Sequence, residues 1–352
     1  MTGELILIVE NLKKYYMLRG SLLQTLGLSP PTYVKAVDGI SFTVNKGEIF
    51  CLVGESGCGK TTTGKVIARL LEPTSGKILY KPSQTARGVL EAFNYRDEYI
   101  DIAKEYSKEV DKALRREIQM VFQDPFGSLN PRMKIRDILE EPLIIHKIGR
   151  DRMERLELIT KALEEVKLVP AQEFLDRYPH MLSGGQRQRV AIARALILGP
   201  SLIVADEPVS MLDVSIRAEI LQLMLEIRKS KNISYVFITH DLAVASNICD
   251  KIAVMYLGKI VEMGETLKVV NNPLHPYTKA LMQAVPEPDP RNRLKFRKLD
   301  IKGEVPSAIN IPPGCRFHPR CPYAMDVCKR EEPLLIDVEK GHSVSCWLYM
   351  RK

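Results

Sequence analysis

Residues Gly54-Glu55-Ser56-Gly57-Cys58-Gly59-Lys60-Thr61 follow the pattern G-x-x-x-x-G-K-[ST]. A loop with this many glycines turns tightly and points its backbone N–H groups at an anion, and a helix opening behind it adds the positive end of its dipole. Lys60 then reaches the β- and γ-phosphates of a nucleotide, Thr61 ligates Mg2+, and Thr62 lies beside the phosphates. Further on, Leu202-Ile203-Val204-Ala205 ends in Asp206-Glu207. Buried carboxylates need partners, so the two acids either mark the solvent end of a strand or serve chemistry there. Beside a phosphate loop, Asp206 would hold the Mg2+ shell and Glu207 would polarise an attacking water. A second glycine-rich turn, Leu182-Ser183-Gly184-Gly185-Gln186, precedes a run of helix formers over 187–198 and reads as another phosphate site at a helix N-terminus.

Such groups need a rigid frame. Ile49–Val53 is a short continuous apolar run, as expected of a buried parallel strand. The loop after it leads into a helix over Thr61–Leu71, which ends before Pro73. Comparable apolar runs at 201–205, 235–239 and 252–255, with helical segments between them and a mainly helical stretch over 134–180, predict an α/β fold with a largely parallel core sheet. Residues 87–117 carry seven basic and eight acidic side chains, with opposite charges at helical spacing, for example Glu105/Lys108, Glu109/Lys112 and Asp111/Arg115. They read as a solvated helical insertion, placed at about 82–117. Prolines 273, 276, 286, 288 and 290 and the basic run 291–302 predict an exposed linker to a small cysteine-rich unit.

The chain has 352 residues and a net charge of +8. That length predicts about two domains. No apolar run approaches the ~18 residues a membrane span needs, and Leu5–Val9 is too short for a signal-peptide core. The positive balance is compatible with nucleic acid or an anionic membrane surface, but a mildly basic soluble enzyme is the commoner case.

The Leu182–Gln186 sequence resembles the signature motif of the ATP-binding cassette (ABC) family. Gln123 in Val121-Phe122-Gln123-Asp124-Pro125 is similar to that family's Q-loop, Asp213 in Ser210-Met211-Leu212-Asp213 to its D-loop, and His240 in Ile238-Thr239-His240-Asp241 to its switch histidine. Tyr16 lies where the family has an aromatic residue that stacks on adenine, with Tyr15 as the rival. The resemblance implies a P-loop ABC-type nucleotide-binding domain over residues 1–268, with a mixed sheet core and a helical subdomain at about 124–198. It implies ATP and Mg2+ as ligands, the latter held by Thr61, Gln123 and Asp206, and catalytic roles for Glu207, His240 and Gln123. It also implies head-to-tail pairing with a second cassette, identical or homologous. Ser183, Gly184, Gly185 and Gln186 would then contact the ATP held by the Gly54, Ser56, Gly57, Cys58, Gly59, Lys60, Thr61 and Thr62 loop of the partner.

Three stretches resemble the oligopeptide/dipeptide import branch of that family: Leu114–Arg132, His275–Leu281, and Pro306 to Pro322. They assign residues 269–352 to that branch's C-terminal extension. The implied partners are two membrane permease subunits and, indirectly, an extracellular substrate-binding protein, with no nucleic acid, at the cytoplasmic face of the membrane. Similar proteins import peptides, nickel or oligosaccharides, and the cassette does not touch the cargo. The competing class, a soluble ABC machine acting on nucleic acid or ribosomes, usually carries long coiled coils or two cassettes in one chain, and this sequence has neither.

Cys51, Cys58 and Cys249 are scattered, whereas Cys315, Cys321, Cys328 and Cys346 crowd the last 38 residues with spacing C-x5-C-x6-C-x17-C. That spacing matches neither zinc pairs nor ferredoxin runs, and alone it leaves bound metal and reduced thiols equally open. Some proteins of the resembling branch carry a 4Fe–4S cluster on such cysteines, so the resemblance implies a cluster here, with zinc as the alternative. A unit of some fifty residues with few large apolar side chains also needs a staple or a docking surface.

Overall fold

A computed structural model describes residues 3–18, 32–284, 301, 303–304 and 306–350. The linker prolines 286, 288 and 290 and nearly all of the basic run 291–302 lie outside the described residues.

Strands β1 (Leu5–Met17), β2 (Tyr33–Asn45), β4 (Ser75–Tyr80) and β5 (Ile100–Asp101) form an antiparallel sheet in the order β2-β1-β4-β5. The main sheet combines β3 (Ile49–Val53), β6 (Ile118–Val121), β7 (Leu202–Asp206), β8 (Ser234–Thr239), β9 (Lys251–Tyr256), β10 (Lys259–Glu265), β11 (Ile336–Glu339) and β12 (His342–Val344). Its order is β11-β12-β10-β9-β3-β8-β7-β6. The five strands from β9 to β6 are parallel. Covered on both faces, they are apolar at nearly every position, which explains the continuous runs in the sequence. Residues alternate between two cores. Cys51 and Val53 face the helical side, while Phe50 and Leu52 face the antiparallel sheet.

Parallel pairing sends the carboxyl ends of β3, β8, β7 and β6 to one edge of the sheet. The phosphate loop, His240, Asp206-Glu207 and Gln123 follow those four ends in that order, so neighbours in the sheet become neighbours at the edge.

The helix behind the phosphate loop runs Lys60–Ile67, shorter than predicted. Arg69 follows with φ 57°, in the left-handed region that ends a helix, and its guanidinium bonds Asp111 and the carbonyls of Ile102 and Lys104. Asp111 thereby belongs to the insertion's fastening as well as to its expected pair with Arg115 at 2.6 Å. The insertion departs from a merely solvated arm. Its helices Gln84–Ala92 and Lys108–Glu117 flank β5, and Leu90, Ile100, Ile102, Val110 and Leu114 are buried in the core beneath the antiparallel sheet. Glu117, 3% exposed, accepts from Ser83 Oγ at 2.7 Å and Tyr80 Oη at 3.1 Å.

Helices Ile135–His146, Arg152–Glu165 and Gly184–Leu196 form the helical layer, and their apolar faces share one core with the main sheet. The C-terminal extension contributes the hairpin β11–β12, which continues the main sheet beyond β10. At that junction Glu262, fully buried, accepts from the N–H groups of Leu274 and His275 at 2.7 and 2.9 Å and lies 2.7 Å from His342 Nε2. No helix among the described residues is long and apolar enough to cross a membrane.

Candidate active site

The phosphate loop needs glycine where the backbone passes other backbone. A Cβ on Gly59 (φ 106°) would stand 2.1 Å from the Ala36 carbonyl oxygen, and one on Gly54 (φ 155°) 2.2 Å from that of Met255. Lys60, 5% exposed, folds back over its own loop and donates to the carbonyls of Gly54 and Glu55 at 2.7 and 2.9 Å. Its ammonium therefore sits at the mouth of the loop, where an anionic phosphate would meet it. Cys58 is buried with its thiol pushed up by desolvation. The Thr61 hydroxyl donates to Asp206 Oδ1 at 2.9 Å.

Asp206 and Glu207 occupy different environments. Asp206 is 4% exposed, and burial raises its carboxyl above the usual carboxylate range; the Thr61 hydrogen bond opposes this and the Glu207 charge adds to it. A desolvated acid beside a second acid and a threonine hydroxyl is a hard-oxygen donor set that a divalent cation relieves, so these residues fit Mg2+. Glu207 has φ 45°, a left-handed conformation that costs a non-glycine residue of order 1 kcal/mol. Its N–H is held by the Ile238 carbonyl at 2.9 Å, and its carbonyl takes the Ser210 hydroxyl at 3.0 Å. The strain aims the side chain along the edge, where Gln123 Nε2 donates to its Oε2 at 3.2 Å and His240 Nδ1 lies 3.0 Å from the same oxygen. The structure thus gathers Gln123, Asp206, Glu207, His240, Lys60 and Thr61 at one edge.

Ser183, Gly184, Gly185, Gln186, Asp213 and the two tyrosines make no hydrogen bond or ion pair to this group. Ser183 is exposed and caps the helix Gly184–Leu196 through a reciprocal pair with Gln186 at 3.3 and 3.1 Å. Gly185 is buried against the helix Val214–Lys231, where an added Cβ would meet Ile216 at 2.6 Å, while Gly184 has ordinary clearance from Leu212 at 3.5 Å. Asp213 is exposed ahead of that helix, and Arg217 reaches from it to Asp241 at 3.6 Å, beside His240. Between the two tyrosines the structure distinguishes plainly. Burial, then the Asp38 carboxylate that accepts its hydroxyl, pushes Tyr15 up to about 12, whereas Tyr16 is exposed.

Cys315, Cys321, Cys328 and Cys346 line one small pocket together with Phe317 and Trp347. Burial above all, helped by the neighbouring sulfurs, pushes Cys315 up to about 12 and Cys346 up to about 11. Donor type and number fit the expected cluster, but the arrangement departs from a formed site. Among the described residues no three His, Cys, Asp or Glu side chains are grouped to hold a metal ion, so neither the iron–sulfur nor the zinc expectation finds support in the spacing. The thiols pack there as small apolar groups. Cys51 and Cys249, scattered in sequence, are joined as a disulfide.

Residues 37–210 match the ABC transporter family, and residues 261–328 match the oligopeptide/dipeptide transporter C-terminal region. Curated relatives agree. The oligopeptide transport ATP-binding protein AppF of Bacillus subtilis is 46% identical over 98% of both chains, and the dipeptide transport ATP-binding protein DppF of Escherichia coli 42% identical over 96% of this chain and 92% of its own. The chain belongs to the oligopeptide/dipeptide branch of ABC transporter ATP-binding proteins. Among solved structures, cbiO1 of Clostridium perfringens, part of the ABC transporter complex cbiONQ, superposes with a TM-score of 0.59 at 27% identity, covering 76% of this chain and 92% of its own. The dimeric post-hydrolysis cassette MJ0796 bound to ADP and Pi gives 0.59 at 26% identity, covering 74% and 99%. The fold is therefore the ABC cassette, and the protein is an ATPase.

Sequence reasoning missed several residues that bear on this cassette. Arg316 bonds Asp38 and the Leu257 carbonyl, and Arg320 pairs with Glu55 inside the phosphate loop. Both arginines stand in Cys315-Arg316-Phe317-His318-Pro319-Arg320-Cys321, a stretch whose resemblance marked the branch. No spacing rule in the sequence connects it to residue 55.

Proposed function

We propose that this chain is the ATP-hydrolysing subunit of a peptide importer, docked on two permease subunits at the cytoplasmic face of a membrane and paired with a second cassette. The observation that carries the catalytic part is the convergence of Gln123 and His240 on one carboxylate oxygen of Glu207, beside the Thr61–Asp206 pair. In this reading Lys60 and the loop amides bind the phosphates, Glu207 draws a proton from the attacking water, and Gln123 and His240 hold that carboxylate in place. Thr61, Gln123 and Asp206 would hold Mg2+, which neutralises phosphate charge. Ser183, exposed at the start of the helix Gly184–Leu196, would with Gly184, Gly185 and Gln186 face the partner cassette's ATP, and Tyr16 would stack on adenine. Peptide cargo follows from the names of the relatives, and a substrate-binding protein would deliver it from outside. The test is uptake of a labelled peptide by vesicles carrying the chain with its permease partners. ATP-dependent uptake with wild-type chain and none with Glu207→Gln is expected. ATP hydrolysis stimulated instead by nucleic acid or ribosomes, with no uptake, would favour the soluble-machine reading.

Cys315, Cys321, Cys328 and Cys346 would hold a 4Fe–4S cluster as thiolate ligands, a group that would staple the C-terminal module. Convergence of all four on one pocket supports this, as does the small size of the module. Anaerobically purified protein should be brown and absorb broadly near ~400 nm, with about four irons per chain. Colourless, iron-free protein, with or without one zinc, would remove the cluster and leave the ATPase reading intact.

A further inference from the structure

The C-terminal extension touches the phosphate loop at Glu55, and it does so with two of its most buried side chains. The Glu55 N–H donates to Tyr277 Oη at 2.8 Å. The Glu55 carboxylate accepts a forked pair from Arg320, Nη1 to Oε2 at 2.7 Å and Nη2 to Oε1 at 3.1 Å. The Glu55 carbonyl accepts Lys60 Nζ. Every polar group of this one loop residue is therefore committed, two of the three to the extension.

Both anchors are held rigidly. Tyr277 is fully buried and Arg320 5% exposed. Tyr277, Tyr256 at the end of β9 and Phe317 pack mutually, with ring centroids 4.7, 5.3 and 5.4 Å apart, and the Arg320 guanidinium lies 5.9 Å from the rings of Tyr256 and Phe317. Successive tight turns fix Arg320 between Cys315 and Cys321, with the Arg320 N–H on the Phe317 carbonyl at 3.0 Å. A planar fork seated among aromatic rings holds one geometry, which a flexible ammonium would not.

Charge gives this contact a purpose. The loop is built to attract a polyphosphate, yet Glu55 places an anion on it. An unpaired carboxylate there would repel ATP, and in a partly desolvated site that repulsion is weakly screened. Arg320 neutralises that charge through its forked pair with the carboxylate. Tyr277 takes the Glu55 amide, so the phosphate-facing donors are the later amides of the loop and Lys60.

We infer that Arg320 and Tyr277 are positioning residues for nucleotide binding, which makes the extension a working part of the ATP site. The inference rests on reading Gly54–Thr61 as the ATP loop. The test uses the full chain, MgATP titration and steady-state hydrolysis. Arg320→Ala should weaken ATP binding about tenfold, the scale of orphaning one partner of a partly buried charge pair, with kcat at saturating ATP within about twofold. Glu55→Gln added to Arg320→Ala should restore affinity to within about threefold of wild type, because the repelling charge is gone. A purely structural loss would not be rescued this way. Tyr277→Phe should weaken binding about threefold to tenfold, as the Glu55 amide loses its acceptor. Arg320→Lys, which keeps the charge without the fork, covers the case in which the alanine variant does not fold; it should bind between the two. Lys60→Ala is the control, and unchanged affinity in it would overturn the loop reading itself. Lost binding in Lys60→Ala with wild-type affinity in the Arg320 and Tyr277 variants would overturn only this inference. So would weakened binding in Arg320→Ala that Glu55→Gln does not rescue.

Discussion

Glu207→Gln isolates the proton-accepting role, because it keeps the shape of the side chain and removes its charge. In the structure Glu207 Oε2 receives Gln123 Nε2 at 3.2 Å and stands 3.0 Å from His240 Nδ1. A glutamine can keep a carbonyl oxygen on that spot, so neither neighbour loses its contact and the strained backbone at residue 207 is unchanged. What is lost is a base for the attacking water. General-base contributions run at about 10²–10⁴ in rate, so turnover should fall at least ~10²-fold, about 2.7 kcal/mol in the barrier at 1.36 kcal/mol per tenfold. Affinity for MgATP should stay within about threefold, since Lys60, Thr61 and Asp206 carry the binding. The measurement is single-turnover hydrolysis by the assembled transporter, set beside equilibrium ATP binding to the same preparation. Turnover within about fivefold of wild type would refute the assignment of Glu207 as base. A parallel loss of ATP affinity would show that the substitution had disturbed the loop and that the convergence has been misread.

Asp206→Asn should raise the melting temperature of the nucleotide-free protein by a few degrees and abolish its further rise with MgATP. Burial raises the folded Asp206 pKa above its unfolded value, so the charged form is a penalty once pH passes the unfolded value; a variant melting below wild type would contradict this. Glu262→Ala strands two buried backbone donors and His342, and at about 1–3 kcal/mol for each orphaned group it should cost about 3–5 kcal/mol in denaturant unfolding. A loss below about 1 kcal/mol would show that the extension seats without it. His275 is fully buried and pushed down to about 3 by that burial and by Lys279. Its folded pKa lies below the unfolded one, so its stabilisation is complete above about pH 6.5 and fades as pH falls from there towards 3. His275→Gln should flatten that part of the stability curve, and an unchanged slope would count against it. Gly184 is a cleaner place than Gly185 to probe the signature loop, because any side chain at 185 meets Ile216. Gly184→Asp should leave ATP binding to the isolated chain intact and abolish ATP-dependent pairing of cassettes, measured by cross-linking.

The sequence by itself determined the parts of this protein whose physics is local. A glycine-rich loop between an apolar run and a helix has few uses, so Gly54–Thr61 was legible as a phosphate site, and Asp206-Glu207 at the end of Leu202–Ala205 was legible as a carboxylate pair for the same reason. Parallel strands buried on both faces betrayed themselves as unbroken apolar runs, which placed β3, β7, β8 and β9 to within a residue or two. The C-terminal cysteines were legible as a group because they crowd a short segment. Other features needed the folded chain, because they join residues far apart in sequence. The order β3-β8-β7-β6 places Gln123 and His240 on Glu207 across 84 and 33 residues, and no periodicity encodes that order. The insertion's charges suggested a solvated arm, yet five apolar side chains among them close a core, since a pattern of charge says little about the face it leaves free. The β11–β12 hairpin, too short and polar to announce itself, becomes strand only by pairing with β10. Arg320 and Glu55 are 265 residues apart. Tertiary packing alone brings the fork to the carboxylate, because only the folded chain seats Arg320 beside the rings of Tyr256 and Phe317 and next to the phosphate loop.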